Sequence, residues 1–302
     1  MKKIIWIILS FILATTVICA KEENMYKLPP RDKKEIKIIA HRGNSMFAPE
    51  NTLVSYSQAI ALGADIMETD LHITKDGVVV FLHDDLLDRT TNGTGNVADK
   101  NIDELKGYSA AYEDKFQSKY AGEPIPTLED ALTFFKKNKT KCLLEFKTPK
   151  AIKETARIIE KVKFPKKDVM LYVWNLSDSK EAFDTFKDKI PIYNLDPMGE
   201  YLKAENKEDF IKTQREAGIR GFSINFGAFF NASDADRSTL AILAAKYKMP
   251  IFIWTVDSSA DINKCMEYQV KGTVGKKIYI GKIDGITTND PAKALMLAGR
   301  NK

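Results

Sequence analysis

The stretch Ile36 to Asp70, "IKIIAHRGNSMFAPENTLVSYSQAIALGADIMETD", holds one complete structural period. It opens with "IKIIA" (36–40), a short apolar run of strand length. "NTLVSYSQAIAL" (51–62) follows with helical apolar spacing behind a capping residue, Asn51. "ADIMETD" (64–70) is a second strand-like run. Strand, helix and strand in that order are the signature of a parallel crossover.

The period recurs along the chain. Further strand-like runs are at 78–83, 142–147, 169–174, 190–194, 221–225, 250–256 and 284–288. Helix-like runs lie between them at 127–138, 151–162, 177–187, 207–218, 233–247 and 258–268. Thr127 with Asp130, Ser177, and Ser233 with Asp236 supply cap signals. Roughly eight strand–helix units predict an α/β fold of the closed (β/α)8 barrel type. A doubly wound open sheet is the alternative, weakened because no G-x-G-x-x-G follows the first strand. One segment breaks the rhythm. "ETDLHITKDGVVVFLHD" (68–84) reads as a strand, a Lys75-Asp76-Gly77 turn and a returning strand. Residues 84–126 then lose periodicity and read as an insertion on the functional face.

The bulk composition fits one large domain or two ordinary ones: 302 residues, 44% hydrophobic and 29% charged. A net charge of +5, with basic residues scattered among acidic ones, argues against nucleic-acid binding. The first twenty residues read as an export signal: "MKK", a long apolar run, then a polar exit at Lys21. An uncleaved membrane anchor is a second reading. Cys19 closes the run much as in a bacterial lipoprotein signal, which would leave the protein lipid-anchored at the periplasmic or cell surface; cleavage after Ala20 would release it. Residues 21–35 read as a polar tether, leaving 36–302 as a single domain. Cys142 and Cys265 sit in apolar surroundings and read as buried free thiols.

Candidate chemistry gathers at predicted strand ends. Glu68 and Asp70 share one face of a strand, and two carboxylates there repel unless a cation joins them. Glu145 and Lys147 repeat the spacing, as a third ligand and a phosphate-binding ammonium or as a local ion pair. His41 and His83 each end a strand, where imidazoles suit a general acid and a general base. Arg42 adds a planar donor fork for phosphate oxygens. His72 shares parity with Glu68 and Asp70 but lies further out, and no direct role is expected for it. Carboxylate ligands suit Ca2+ or Mg2+ better than zinc.

Taken together, "HRGNSMFAPENT", "ETDLHITKDGVVVFLHDDLLDRTTNGTG", "LLEFK" and "WTVDSSADI…DGITTNDP" resemble the glycerophosphodiester phosphodiesterases, from about Ile38 to near Lys293. The resemblance implies a TIM barrel with a small insertion. It implies hydrolysis of small glycerophosphodiesters to glycerol 3-phosphate and an alcohol, assisted by one divalent metal ion. By position it assigns His41 and His83 as the catalytic pair, and Glu68, Asp70 and Glu145 as metal ligands. Arg42 and Lys147 match phosphate contacts, and Trp254 an aromatic of the glycerol pocket. Gly43 turns the backbone away, while Glu50 and Asn51 shape the loop and start the helix. Thr69, Phe146, Asp257 and Asn289 depart from the pattern without removing a needed group. Of the two histidines, His83 is read as the base and His41 as the acid. The nucleophile is water or the glycerol 2-hydroxyl. Lysophospholipids, glycerophosphoinositol or cell-wall glycerophosphate polymers are alternative substrates, and a non-catalytic phosphoglycerol-binding protein is the remote alternative.

Overall fold

The structure is a computed structural model and describes residues 28–300. The export signal and Cys19 lie outside the described residues. In chain order the strands are β1 (Lys37–His41), β2 (Ile66–Ile73), β3 (Val79–Phe81), β4 (Lys141–Phe146), β5 (Val169–Val173), β6 (Ile192–Leu195), β7 (Ile219–Asn225), β8 (Ile251–Trp254), β9 (Gln269–Val274), β10 (Lys277–Lys282) and β11 (Gly285–Thr288). Eight of them run parallel in the order β1, β11, β8, β7, β6, β5, β4, β2, and β1 pairs with β2 to close the ring. The expected barrel is therefore present, and the open sheet is excluded. β3 is the returning strand, antiparallel to the outer half of β2.

Side-chain alternation splits the core in two. Inward residues such as Ile39, Ile66, Leu143, Tyr193 and Phe252 fill the barrel interior, where Tyr193 and Phe252 stack with centroids 4.9 Å apart. Outward residues pack under the ring of helices. The interior layer is a plug, so polar groups further along the same strands collect at the C-terminal mouth.

Some local expectations need correction. Thr52, not Asn51, caps helix Leu53–Leu62, accepting from the Ser55 N–H. Asn175, not Ser177, caps helix Leu176–Phe186. Both misplacements are shifts between neighbouring polar residues. The caps at Thr127 and Ser233 form as expected, on the Asp130 and Asp236 N–H groups.

Two regions carry structure without a clear period. Residues 84–126 wrap short helical turns around a small core in which Leu87, Val97, Leu105 and Ile125 pack on Val80 and Leu82 at the end of the returning strand. β9 and β10 form an antiparallel hairpin outside the barrel, which the sequence reading leaves unassigned. It lies on helix Asp234–Tyr247, so that helix is covered on both sides; Leu240, Ala241, Ile242, Leu243 and Ala244 are all buried. Of the segment read as a tether, residues 28–35 are docked: Arg31 donates to the carbonyls of Cys265, Met266, Tyr268 and Ile283.

Candidate active site

Strand register brings the acidic residues together. His41 pairs with Glu68 across β1 and β2, and Asp70 with Glu145 across β2 and β4. Carboxylate oxygens of Glu68, Asp70 and Glu145 all lie within 4.8 Å of one another. Glu68 and Glu145 border a pocket of about 250 Å³ lined also by His41, Arg42, His83, Lys147, Trp174 and Trp254, with Asp70 buried behind them. The groups expected from the sequence thus converge at one mouth. His72 stays outside it; the ring is buried, with Nε2 3.3 Å from the His83 carbonyl.

The cluster is electrostatically unfinished. Arg42 Nε lies 3.1 Å from Asp70 Oδ2, and Lys147 pairs with both Asp70 (3.1 Å) and Glu145. Burial opposes ionisation of Asp70, but Arg42 and Lys147 outweigh it and hold its carboxyl below the usual range. At Glu68 the same two cations act too weakly to prevail. Burial, then Asp70 and Glu145, push it well above the usual carboxylate range. Glu145 is raised by burial and Asp70, with Lys147 only partly compensating.

These residues fit a cation. Glu68 Oε1 is buried with no hydrogen-bond partner. Two oxygens bound to one Ca2+ at about 2.4 Å lie at most about 4.8 Å apart, which the triad satisfies. Three carboxylates against Arg42 and Lys147 leave one negative charge. A divalent ion turns that into one positive charge, which a phosphodiester monoanion cancels.

Backbone geometry at the first loop is specialised. Arg42 (φ 56°) and Gly43 (φ 87°) are both left-handed. A Cβ on Gly43 would lie 2.3 Å from Ser55 Oγ and 2.8 Å from the Ser55 backbone carbon. Only glycine therefore lets the chain turn away beneath the helix. Asn51, expected to start that helix, does something else. Its buried amide donates to Asp70 Oδ2 (2.8 Å) and accepts from Tyr56 and Thr69, which fixes the central carboxylate. Glu50 is clamped by Arg42 (2.9 Å) and by Arg89 from the insertion (2.8 and 3.0 Å).

The histidines differ in their partners. Asp257 accepts from the Asn289 side-chain Nδ2 (2.7 Å), from its backbone N–H (2.8 Å) and from Thr288 Oγ1 (2.9 Å). A carboxylate only accepts, so the Asn289 amide is oriented with its oxygen toward His41. That oxygen is 2.7 Å from His41 Nδ1 and also accepts from Ser45. Nδ1 therefore carries the proton, and Nε2 presents a lone pair to the pocket. Burial, reinforced by Arg42, lowers the His41 imidazole to about 4, so the ring is neutral at pH 7. His83 instead places Nδ1 2.6 Å from Asp84, whose carboxylate is held by Arg89 at 2.6 and 3.0 Å.

Sequence reasoning overlooks Asp84, Arg89 and Trp174, and treats Asp257 and Asn289 as loop detail. Asp84 is adjacent to His83 and is readable from that adjacency. Arg89 lies in an aperiodic insertion, and the Asp257–Asn289 pair joins the ends of two strands that only the folded register brings together. Trp174 donates to Glu145 (3.1 Å) and meets Trp254 edge to face.

Residues 41–278 match the glycerophosphoryl diester phosphodiesterase family. A glycerophosphodiester phosphodiesterase of Bacillus subtilis is 30% identical over 276 residues, 88% of this chain and 89% of the relative. One from Caldanaerobacter subterraneus is 50% identical over 91 residues, only 30% of this chain and 37% of the relative. Among solved structures, an Oleispira antarctica phosphodiesterase in complex with the product sn-glycerol-3-phosphate superposes with a TM-score of 0.68 at 22% identity, covering 87% of this chain and 96% of that one. At that identity the match carries the fold alone. Sequence match, barrel and strand-end site together place the chain in the glycerophosphoryl diester phosphodiesterase family.

Proposed function

We propose that the protein hydrolyses glycerophosphodiesters to sn-glycerol 3-phosphate and an alcohol, with a divalent ion held by Glu68, Asp70 and Glu145. The observation that carries this reading is the convergence of that triad, two cationic side chains and two differently partnered histidines at one barrel mouth. A bound Ca2+ or Mg2+ supplies charge neutralisation at a phosphate oxygen. Arg42 and Lys147 hold the remaining phosphate oxygens as charge builds. Trp254 and Trp174 bound the space available to glycerol.

We assign the proton roles in the reverse of the order read from sequence, because burial keeps His41 neutral with its Nδ1–H on Asn289. His41 presents an unprotonated Nε2 and serves as base toward the attacking hydroxyl. His83, oriented through Nδ1 by Asp84, serves as acid toward the departing alcohol oxygen. Asp257 and Asn289 are positioning residues for the first, and Asp84 and Arg89 for the second.

Exposed Met46 and Phe47 follow β1, and exposed Trp174 stands at the mouth, which favours a second reading in which acylated glycerophosphodiesters such as lysophospholipids are also accepted. A panel of glycerophosphocholine, glycerophosphoinositol and lysophosphatidylcholine separates the two, the first two scored by released glycerol 3-phosphate and the third by released choline with acylglycerol 3-phosphate. His41→Ala and His83→Ala are each expected to abolish turnover with the fold kept. Wild-type turnover in either variant would sink the assignment.

A further inference from the structure

The β9–β10 hairpin is not explained by the chemistry at the barrel mouth. It follows helix Ser259–Glu267 and leads into the start of β11, so it springs from the barrel end opposite the site. Its fourteen residues, Gln269 to Lys282, include four lysines and no acidic residue. One face is committed to the fold. Gly281 sits so close to helix Asp234–Tyr247 that a Cβ would lie 2.4 Å from the Ala241 carbonyl carbon. The other face is open. Ile278 and Ile280 are 61% and 48% exposed there, paired across the ladder with Thr273 and Lys271, while Lys276 and Lys277 stand exposed at the tip. The two isoleucines lie two apart on one strand, so they form a small apolar patch that a docking partner would cover.

The way the chain enters the fold says what does. Arg31 donates to carbonyls on both sides of the hairpin root, at Tyr268 and Ile283, and Gln269 donates to Pro29 (2.8 Å). The N-terminal segment therefore leaves the fold at the base of this hairpin. The apolar run of the sequence ends at Ala20, eight residues before Leu28. Eight residues span at most about 29 Å, which keeps the hairpin close to whatever the apolar run enters.

We propose that the β9–β10 hairpin docks on an anionic lipid bilayer. Ile278 and Ile280 enter the interfacial region, and Lys276 and Lys277 meet lipid phosphates. The fold then stands on the membrane at three linked points (anchor, Arg31 root and hairpin), with the pocket mouth at the far end of the barrel. The inference rests on the apolar run being membrane-inserted and is independent of the catalytic proposal.

The test is lysine acetylation footprinting of the full chain on vesicles containing phosphatidylglycerol, read by mass spectrometry. Lys276 and Lys277 are expected to lose labelling about fivefold or more relative to the vesicle-free protein, while the exposed Lys153 and Lys180 do not change. Ile278→Ser with Ile280→Ser is expected to restore labelling at both lysines, as is 0.5 M salt, roughly a Debye length of 4 Å. Unchanged labelling of Lys276 and Lys277 in vesicle-bound protein overturns the docking while leaving the anchor standing. Failure of the chain to bind vesicles at all overturns both. Neither outcome touches phosphodiesterase activity, which is assayed separately in solution.

Discussion

Changing Asn289 to Asp removes one nitrogen and should disable the base. In the native arrangement Asp257 accepts from the Asn289 Nδ2 at 2.7 Å, and Asn289 passes that orientation to His41 Nδ1, also at 2.7 Å. Asn289→Asp sets a second carboxylate against Asp257. The lost charge-assisted hydrogen bond is worth about 1.5–3 kcal/mol, before counting repulsion between the two acids. Carried into the transition state, that is roughly a 10- to 150-fold loss in kcat/KM. Asp257→Asn alone keeps acceptors for Thr288 and the Asn289 N–H, but it frees the Asn289 amide to flip and should cost less. The double exchange, Asp257→Asn with Asn289→Asp, restores a donor–acceptor pair and returns an acceptor to His41 Nδ1. It should recover activity to within about tenfold of wild type. The assay is release of glycerol 3-phosphate from glycerophosphocholine, with Tm recorded for every variant. A fully active Asn289→Asp, or a double exchange no better than the worse single, would refute the relay.

Other perturbations test neighbouring parts of the site. Arg89→Ala frees Asp84 and Glu50, and kcat/KM should drop about 10- to 100-fold, the usual range for outer hydrogen-bond partners, with little change in Tm. Gly43→Ala should destabilise the fold by about 2–4 kcal/mol, because the new Cβ meets the Ser55 backbone at a left-handed φ; chemical denaturation measures it. In metal-free protein the acidic pair should contribute a loss of stability as pH rises from about 4.5, set against the gain that His41 contributes between about 4 and 6.5. Glu68 and Glu145 have raised carboxyl values in the fold, so their ionisation penalises the native state above the unfolded value. Calorimetry with and without Ca2+ or Mg2+ should show the larger stabilisation at pH 7.5 than at pH 5, and an equal shift at both would be contrary to the charge argument.

The barrel was legible because its signal is repetitive. Each βα unit carries an apolar strand and an amphipathic helix, and errors of one or two residues at caps such as Asn175 do not change topology. The acidic triad was legible because two of its members share one strand at a spacing of two. Less visible were groups whose meaning depends on register between distant strands. Asp257 and Asn289 are 32 residues apart and meet only because β8 and β11 are neighbours. The β9–β10 hairpin escaped because glycine and lysine dilute its apolar alternation, although Gly281 and Gly272 are what let it lie against a helix.

The most direct test of the central claim is turnover of glycerophosphocholine by the purified full chain, with and without divalent metal. The account predicts equimolar glycerol 3-phosphate and choline in the presence of Ca2+ or Mg2+. It predicts loss of activity on exhaustive chelation with EDTA and recovery on adding the ion back. Undiminished turnover after chelation would contradict the role given to Glu68, Asp70 and Glu145. No turnover of any glycerophosphodiester under metal-replete conditions would contradict the function itself.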